Sequence, residues 1–344
     1  VISCRFKSGP GYQVFEKIMK LLIPGGAGYI GSYMVRYAQD SGHEVVVLDD
    51  FSTGNEWAVK NCEILQVNLL DKDKLSQLLK GRFFDAVIHF AAKSLVDESI
   101  KNPFLYYQNN VVGTLNLVHE MIKNDLDKLV FSSTAAVFGN PLTEKIAEDH
   151  PKNAINPYGK SKLTVENILQ DICIVNDLNV TCLRYFNAAG AHESGEIGEA
   201  HEPETHLIPS IFDSVLSNER TIKVFGDNYP TFDGTCIRDY VHVSDLVQAH
   251  LLCVEHMQKN NGFSAFNLGN GKGFSVFDVI NSCKKVSGLV IDYSVCDRRL
   301  GDPAILVADS ALAAKVLEWK PAYVSLDKII ESAWRWHQTY RLSQ

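Results

Sequence analysis

Short apolar runs recur along the first half of the chain, and each is followed by a stretch with the spacing of a helix. Beginning at Met19, the runs are KLLIPGG, EVVVLDD, DAVIHFAA, KLVFSST and VTCLRYFN. Helices are expected between them at 29–41, 72–80, 103–123 and 158–176. Strands so rich in Val, Ile, Leu and Phe are typical of a parallel sheet that is buried on both faces. The pattern therefore predicts an α/β fold with a Rossmann-like doubly wound parallel sheet.

The regular alternation weakens after Asn187, which marks the expected end of the first domain. The following stretch, AAGAHESGEIGEAHEPETH, is rich in Gly, Glu and His and too long for a simple turn, so we expect a functional loop. A strand and a helix within 235–258 are expected to return to the first domain. The remaining elements predict a smaller C-terminal α+β domain, which gives a division into 19–187 and 188–344.

The N-terminal stretch VISCRFKSGPGYQVFEKI has no clear period and directly precedes Met19. We interpret residues 1–18 as an extension of uncertain origin and Met19 as the natural start. This stretch lacks the pattern of a secretory signal, and no apolar run in the chain is long enough to cross a bilayer. These observations predict a cytoplasmic protein without a membrane partner.

Charge and cysteine usage narrow the class of protein further. The net charge of −8 argues against a nucleic-acid partner, because such proteins present a basic face. The eight cysteines are scattered without a Cys-x-x-Cys pair, so neither a zinc site nor a disulfide framework is indicated. We therefore expect no metal, and cysteines that act as small, mostly buried apolar side chains in a reducing compartment.

A glycine-rich turn, GGAGYIGS, lies between the first expected strand and the first expected helix. It matches a dinucleotide-binding pattern in two ways, through Gly25, Gly28 and Gly31 or through Gly26, Gly28 and Gly31. Glycines at such positions allow a tight turn, a close approach to pyrophosphate and close packing of helix on strand. The alternative is a purely structural turn, but its place between a strand and a helix favours the dinucleotide.

Two acidic residues, Asp49 and Asp50, end the second strand about twenty residues beyond the glycine turn, the distance typical of a dinucleotide site. A carboxylate at this position accepts hydrogen bonds from the adenosine ribose and repels a 2′-phosphate, so NAD is favoured over NADP. The alternative is a solvated acidic turn.

The segment NPYGKSK sets Tyr158 and Lys162 four residues apart, directly after Pro157. Proline is well tolerated in the first turn of a helix, and residues four apart share one helical face. Taken alone, the segment is compatible with two unrelated neighbours on a surface helix.

Several motifs together resemble the extended short-chain dehydrogenase/reductase family. They begin with the glycine turn, HFAA at 89–92, FSSTAAVFG at 131–139 and PYGKSK. Within that family the chain is most similar to the UDP-glucose 4-epimerases, also called UDP-galactose 4-epimerases. The further matches are DDFSTGN, YYQNNVVGT, RYFNAAGAH, GTCIRDYVHVSDL and RRLGDPA. The motifs cover nearly everything from Met19 onward, and their combination is specific to sugar-nucleotide epimerases and close relatives.

The resemblance implies a bound NAD and a reversible oxidation at carbon 4 that interconverts UDP-galactose and UDP-glucose through a 4-keto intermediate. Tyr158 would accept the hydroxyl proton, and Thr134 would hydrogen-bond the reacting oxygen. A free tyrosine has a pKa of about 10, and a neighbouring positive charge lowers it. Lys162 would therefore favour the phenolate and would also contact the nicotinamide ribose. The resemblance also implies a homodimer.

Other positions match the two ligand sites of the family. The implied cofactor-binding residues are Gly25, Gly28, Tyr29, Ile30, Gly31, Asp49, Asp50, Thr53, Gly54, Asn68, Leu69, Phe90, Ala91, Ala92, Asn109, Ser132, Lys162 and Tyr185. The implied residues that bind the UDP-sugar are Thr134, Tyr158, Asn187, His206, Leu207, Phe225, Arg238, Arg299, Asp302 and Leu306. The two arginines suit a diphosphate, because guanidinium groups bind its oxygens in pairs.

The chain departs from the family pattern at a few positions. Pro24 stands where Thr is usual, Asn68 where Asp is usual and Phe138 where Tyr is usual. An amide can still hydrogen-bond adenine, and Phe138 loses only a hydroxyl. Leu306 occupies a position that limits the room beside carbon 2 of the sugar, so weak acceptance of N-acetylated sugars is expected.

Related activities remain as alternatives. Sugar-nucleotide 4,6-dehydratases and UDP-glucuronate decarboxylases place an acid after the Ser or Thr of the active-site strand, whereas Ala135 and Ala136 follow Thr134 here. Epimerases of other UDP-sugars, namely N-acetylhexosamines, uronic acids or pentoses, remain open. An inert NAD-binding module is disfavoured, because such a protein would be free to lose Tyr158 or Lys162.

Overall fold

The computed structural model describes residues 17–217, 221–299 and 301–342, so most of the extension predicted at 1–18 lies outside the described residues. The strands follow one another along the chain as β1 (Lys20–Pro24), β2 (Glu44–Asp49), β3 (Glu63–Gln66), β4 (Ala86–His89), β5 (Lys128–Thr134), β6 (Asn179–Tyr185), β7 (Asn187–Ala189), β8 (Ile222–Phe225), β9 (Ile237–His242), β10 (Phe263–Leu268), β11 (Gly273–Ser275), β12 (Tyr293–Cys296) and β13 (Ile305–Leu306).

The helices alternate with these strands. They are α1 (Tyr29–Asp40), α2 (Lys72–Leu79), α3 (Val96–Lys101), α4 (Pro103–Tyr106), α5 (Gly113–Lys123), α6 (Pro157–Val175), α7 (Leu207–Ser217), α8 (Val243–His256), α9 (Val276–Ser287), α10 (Ala311–Val316) and α11 (Leu326–Leu342). A π-helical stretch, Tyr107–Val112, joins α4 to α5, and short 3₁₀ turns cover Glu56–Ala58 and Ala135–Val137. None of the described helices has the length and apolar character needed to cross a membrane.

A seven-stranded sheet forms the centre of the fold, in the order β10-β6-β5-β4-β1-β2-β3. Every neighbouring pair in it is parallel. The predicted Rossmann-like parallel sheet is therefore confirmed. The order reverses beside β1, because β2 lies on one side of it and β4 on the other. The carboxyl ends of these strands meet at one edge, which is where ligands bind in open α/β sheets.

Both faces of the sheet are buried, as the continuous apolar runs predicted. In β1, Leu21 and Ile23 pack into the cluster on the side of α1 and α8, whereas Leu22 packs into the cluster on the opposite side. Successive side chains of a strand point to opposite faces, so one strand supplies both layers of core.

The second half of the chain builds smaller sheets and also contributes to the large one. Strand β9 pairs with β7, β11 and β13, and β8 pairs with β12. Within 235–258, helix α8 packs against α1, whereas β9 belongs to the smaller sheet. Strand β10 lies beyond 187 and forms the outer strand of the large sheet beside β6. The division into 19–187 and 188–344 stays a prediction.

Candidate active site

The turn after β1 owes its shape to two glycines. Gly25 has a φ of +80°, and a Cβ on it would lie 2.3 Å from the backbone nitrogen of Ala91. A Cβ on Gly31 would lie 2.0 Å from the carbonyl oxygen of Gly25, so helix α1 packs directly on the turn. Of the two glycine patterns in the sequence, this geometry corresponds to Gly25, Gly28 and Gly31, while Gly26 packs against Val47.

The N-terminus of α1 is open at the middle glycine. Gly28 is the N-cap residue, and a Cβ built on it would have the carbonyl oxygen of Gly25, 3.5 Å away, as its nearest neighbour. No side chain among the described residues caps this helix start. A helix N-terminus with free N–H groups attracts phosphate oxygens, so the turn fits the pyrophosphate of a dinucleotide.

Asp49 holds the glycine turn in place. One carboxylate oxygen accepts a hydrogen bond from the Ala27 N–H at 2.9 Å, and the other accepts from the Phe51 N–H at 2.9 Å. Burial raises the pKa of this carboxyl, and the two N–H donors oppose the rise. Thr53 and Gly54 follow on the same loop, with the Gly54 backbone close against Ala27. The predicted contact of Asp49 with the ribose stays a prediction.

A cavity of about 290 Å³ lies beside this loop and is called the adenosine cavity, because Asn68, the predicted adenine contact, lines it. Asn68 and Asn109 are among its lining residues. The Asn68 side chain donates to Asp50 at 2.5 Å, so the amide and the acidic residue act as one polar unit at the cavity. Leu69 is buried in the core beneath, close to Gly113.

The remaining predicted cofactor residues surround the glycine turn and the end of β6. Tyr29 donates its hydroxyl to the Gly190 carbonyl at 2.6 Å, and Ile30 packs against the core. The Phe90 and Ala91 N–H groups donate to the carbonyl of Pro24, and Ala92 follows them. Tyr185 ends β6, beside β5.

His250 was not predicted from the sequence, although its ring lies 4.7 Å from that of Phe90 and 6.2 Å from that of Tyr185. Its Nδ1 contacts the carbonyl oxygen of Leu246 at 2.8 Å. Burial lowers the pKa of His250 to about 4, so the ring is neutral at physiological pH. Nothing in the sequence indicated that His250 lies beside Phe90 and Tyr185, because a histidine on the buried face of a helix is typical of a core position.

The three predicted catalytic residues come together at the carboxyl end of β5. Thr134 is the last residue of that strand, and Tyr158 and Lys162 lie in the first two turns of α6. The Asn156 side chain caps this helix by accepting from the Gly159 N–H at 2.8 Å, so the helix begins where the Pro157 motif predicted. Burial raises the pKa of Tyr158, and hydrogen bonding with the Thr134 side chain partly offsets the rise.

Lys162 is almost completely buried, with 4% of its surface exposed. Its Nζ donates to the carbonyl oxygen of Ser132 at 2.8 Å and lies 4.8 Å from the centre of the Phe131 ring. Burial lowers the pKa of Lys162 to about 7, and the charge of Glu166 opposes this shift. The ammonium is therefore held in one position and is close to its titration point at neutral pH.

A buried ion pair beneath Lys162 was missed from the sequence. Glu166, one turn further along α6, pairs with Arg184 of β6 through a contact of 2.8 Å. It also accepts a hydrogen bond from the hydroxyl of Ser133 at 2.5 Å. The pair connects α6, β5 and β6 directly behind the catalytic residues. The signal was Arg184 inside a buried strand, because a buried charge requires a partner of opposite charge.

Asn110 was also missed, although its neighbour Asn109 was named. Its side chain accepts from the Lys93 N–H at 2.8 Å and donates to the Lys93 carbonyl at 2.9 Å. It also donates to the Ser161 hydroxyl at 3.0 Å. This buried amide ties the π-helical stretch to the loop after β4 and to α6. Irregular helical stretches of this kind are frequent at functional sites.

Some of the predicted substrate residues converge on β9 and β13. Arg238 donates through Nη1 to the carbonyls of Ile237 and Pro303, at 2.9 and 2.8 Å, and its Nη2 lies 3.4 Å from Asp302. Leu306 pairs with Arg238 across the two strands. Leu306 also packs against a core cluster that includes Ala135, Val137 and Phe138, which lie shortly after Thr134.

The other predicted substrate residues lie on neighbouring elements. The Arg299 guanidinium stacks 4.0 Å from the centre of the Phe225 ring, which joins two predicted residues. Asn187 opens β7 and pairs with Tyr240 of β9, and Leu207 opens α7. His206 instead contacts Glu199 at 2.7 Å, and its predicted proximity to the uridine stays a prediction.

The chain matches the NAD dependent epimerase/dehydratase family over residues 21–269. The UDP-glucose 4-epimerase of Halalkalibacterium halodurans is 46% identical over 322 residues, covering 94% of this chain and 96% of that protein. The structure of UDP-glucose 4-epimerase from Brucella ovis in complex with NAD matches with a TM-score of 0.88 at 42% identity, covering 92% of this chain and 97% of that one. The structure of the Bifidobacterium longum enzyme in complex with NAD+ and UDP matches with a TM-score of 0.90 at 34% identity, covering 94% and 99%. The chain therefore belongs to the NAD dependent epimerase/dehydratase family, and within it to the UDP-glucose 4-epimerases, which are NAD-dependent isomerases.

Proposed function

We propose that the chain interconverts UDP-galactose and UDP-glucose by oxidising and re-reducing carbon 4 of the hexose, with Tyr158, Lys162 and Thr134 as the catalytic residues. The observation that carries the proposal is the convergence of these three side chains at the carboxyl end of β5. That edge of a parallel sheet is where ligands bind, and the glycine turn after β1 opens at the same edge.

Tyr158 is the group proposed to accept and return the proton of the 4-hydroxyl. Burial raises its pKa, so its phenolate needs stabilisation from its neighbours. Hydrogen bonding with Thr134 supplies part of it, and the ammonium of Lys162 lies one helical turn away on the same face. Burial lowers the pKa of Lys162 to about 7, so its ammonium form is accessible at neutral pH.

NAD, when bound, supplies the acceptance and return of a hydride at carbon 4. The residues proposed to hold it are those of the glycine turn, with Asp50 and Asn68 beside the adenosine cavity. The open helix start at Gly28 supports a pyrophosphate there. The acidic side chain of Asp50 supports a free ribose hydroxyl over a 2′-phosphate.

Arg238 and Arg299 are proposed to bind the diphosphate of the UDP-sugar. The two carbonyls that accept from Arg238 fix the plane of its guanidinium, which supports paired hydrogen bonds to phosphate oxygens. Ala135 and Ala136 directly follow Thr134, so the strand end carries no acid for dehydration or decarboxylation. This composition favours epimerisation among the related reactions.

We also propose that the chain is cytoplasmic and forms a homodimer. The seven described cysteines form no disulfide with one another, and Cys182, Cys253 and Cys283 are buried, which supports a reducing compartment. The homodimer rests on the family resemblance, and light scattering coupled to size-exclusion chromatography tests it directly.

The proposed reaction is tested with purified protein and UDP-galactose, following the appearance of UDP-glucose without added NAD. Turnover in the absence of added cofactor is expected, because NAD is expected to stay bound to the protein during purification. The proposal is wrong if no UDP-glucose forms even with NAD supplied. Turnover of a UDP-uronic acid, a UDP-pentose or UDP-N-acetylgalactosamine in its place would identify a different sugar for the same site.

A further inference from the structure

The loop that joins β7 to α7 carries the sequence Glu199-x-His201-x-x-Glu204-x-His206. One potential ligand atom from each of these side chains lies within 4.8 Å of the other three. We propose that the four residues form a binding site for a zinc ion. The proposal departs from the expectation of no metal, which was based on cysteine spacing alone.

The four side chains of this zinc cluster lie close enough to converge on one ion after small movements. Zinc binds imidazole nitrogen and carboxylate oxygen at about 2.0–2.2 Å, which sets neighbouring ligand atoms about 3.3–3.5 Å apart. His201 Nδ1 lies 3.3 Å from Glu199 and 3.5 Å from Glu204. His206 Nδ1 lies 3.4 Å from the other carboxylate oxygen of Glu204 and 2.7 Å from Glu199, so both carboxylates must shift to admit the ion.

The ring of His201 lies between the two carboxylates. Its Nδ1 is buried and lies within 3.5 Å of an oxygen of Glu199 and of an oxygen of Glu204. Without an ion this nitrogen can share a proton with the carboxylates, whereas the deprotonated ring would direct its lone pair at a cation bound between them. Metal coordination would therefore replace the proton at this atom.

The donor set selects the class of metal. Imidazole nitrogen suits zinc and other late first-row divalent ions, whereas magnesium and calcium require oxygen ligands. Two carboxylates balance the double charge of the ion, while the histidines bind as neutral rings. The side chains of Glu199 and Glu204 are only 6% and 9% exposed, so their charges require cationic partners, which a zinc ion would supply.

The position of the zinc cluster indicates a structural role. Four protein ligands fill a tetrahedral zinc site and leave no open position for substrate. The His201 ring meets the Tyr29 ring edge to face at 6.4 Å, at the start of α1. The carbonyl of Ala200 accepts from Asn55, on the loop that follows β2. A zinc ion would therefore pin the loop against the glycine turn that faces the pyrophosphate.

The test is the metal content of the tag-free full-length chain after zinc loading and dialysis, measured by plasma mass spectrometry. About one zinc ion per chain is expected. His201→Gln and Glu204→Gln should each weaken zinc affinity by at least about 100-fold. His119→Gln is the matched control, because this exposed histidine lies on α5, outside the cluster. Metal content is measured without substrate, so the result is independent of the proposed epimerase activity.

A second measurement applies even if a ligand variant folds poorly. In the wild-type protein, removing zinc with a chelator should lower the melting temperature, and adding zinc back should restore it. Replacement by Co²⁺ should give the strong visible absorption of a four-coordinate site. The proposal is overturned if the wild type takes up no zinc in titration, or if His201→Gln and Glu204→Gln retain as much zinc as His119→Gln. The cluster would then be an ion-pair network within the loop.

Discussion

The ammonium of Lys162 donates to the main-chain carbonyl of Ser132 across 2.8 Å, and this contact joins helix α6 to the strand that ends at Thr134. A lysine so buried would ordinarily lose its charge, and burial does lower its pKa to about 7. The carbonyl dipole and the nearby Glu166 keep the charged form accessible. The side chain of Lys162, with its pKa of about 7, therefore lies one helical turn from Tyr158.

Replacing Lys162 by Met should lower kcat by about 10²–10⁴-fold, because the phenolate of Tyr158 loses a cation one helical turn away. The NAD content of the purified protein should also fall, since Lys162 is proposed to contact the nicotinamide ribose. Steady-state kinetics and the absorbance of cofactor released by denaturation measure the two effects. Lys160→Met, on the same helix but exposed, is the control. Equal activity of the two variants would rule out the role of Lys162.

Replacing Glu166 by Gln should reduce the free energy of unfolding by about 3–5 kcal/mol, because the buried guanidinium of Arg184 is left without a counter-charge. The Lys162 pKa should fall as well, since Glu166 raises it. Urea denaturation measures the stability change, with the exposed Glu144→Gln as control. A loss as small as that of the control would show that the ion pair is dispensable.

Stability should decline as the pH falls below about 6.5, the ordinary pKa of histidine. Burial lowers the pKa of His89 and His242 to about 3 and that of His250 to about 4. In this pH range the unfolded chain therefore binds protons at these histidines and the folded chain does not. As the pH falls from the unfolded to the folded pKa of a histidine, that residue lowers the free energy of unfolding by up to about 1.4 kcal/mol per pH unit. This contribution is fully present above pH 6.5 and is lost as the pH falls.

His250→Leu isolates one of these titrations. Its unfolding free energy should depend less steeply on pH than that of the wild type, and the difference between the two should change by about 3 kcal/mol from pH 6.5 to pH 4. Denaturation curves at several pH values supply the data, with the exposed His119→Gln as control. Parallel pH profiles for wild type and His250→Leu would contradict the prediction.

Leu306→Ala should raise the turnover of UDP-N-acetylgalactosamine relative to UDP-galactose by at least about 10-fold. The smaller side chain opens space for the acetyl group, and a change of this size in a pocket alters the discrimination between two substrates by about 1–3 kcal/mol. The wild type should accept the N-acetylated sugar poorly. Ile305→Ala is the matched control, because successive residues of a strand point to opposite faces. Efficient use of the N-acetylated sugar by the wild type would show that Leu306 does not limit this space.

The sequence predicts those elements of the fold that have a local periodic pattern of apolar residues. The apolar runs predicted β1, β2, β4, β5 and β6, because a strand buried on both faces leaves a continuous signal. Strand β10 lacked a continuous apolar run. Its first three residues are only partly buried, and Asn267 interrupts the apolar sequence. Its place in the sheet depends on long-range pairing with β6, which no local pattern encodes.

The candidate site divides in a similar way. Tyr158 and Lys162 could be predicted from the sequence because they share one helical face. The glycine turn could be predicted because the spacing of its glycines is fixed. The choice between Gly25 and Gly26 required the backbone angle of +80° at Gly25. Glu166, Asn110 and His250 could not be identified, because a buried polar residue reveals its purpose only through partners distant in sequence.

The most direct test of the account is the rate of UDP-galactose conversion by Tyr158→Phe compared with Tyr107→Phe, an exposed tyrosine on the neighbouring π-helical stretch. Removing the hydroxyl of Tyr158 should lower kcat by about 10²–10⁴-fold while the NAD content and melting temperature stay close to wild type. Tyr107→Phe should retain normal turnover. A Tyr158→Phe variant that is folded, loaded with NAD and as active as Tyr107→Phe would contradict the central claim that Tyr158 moves the proton of the 4-hydroxyl.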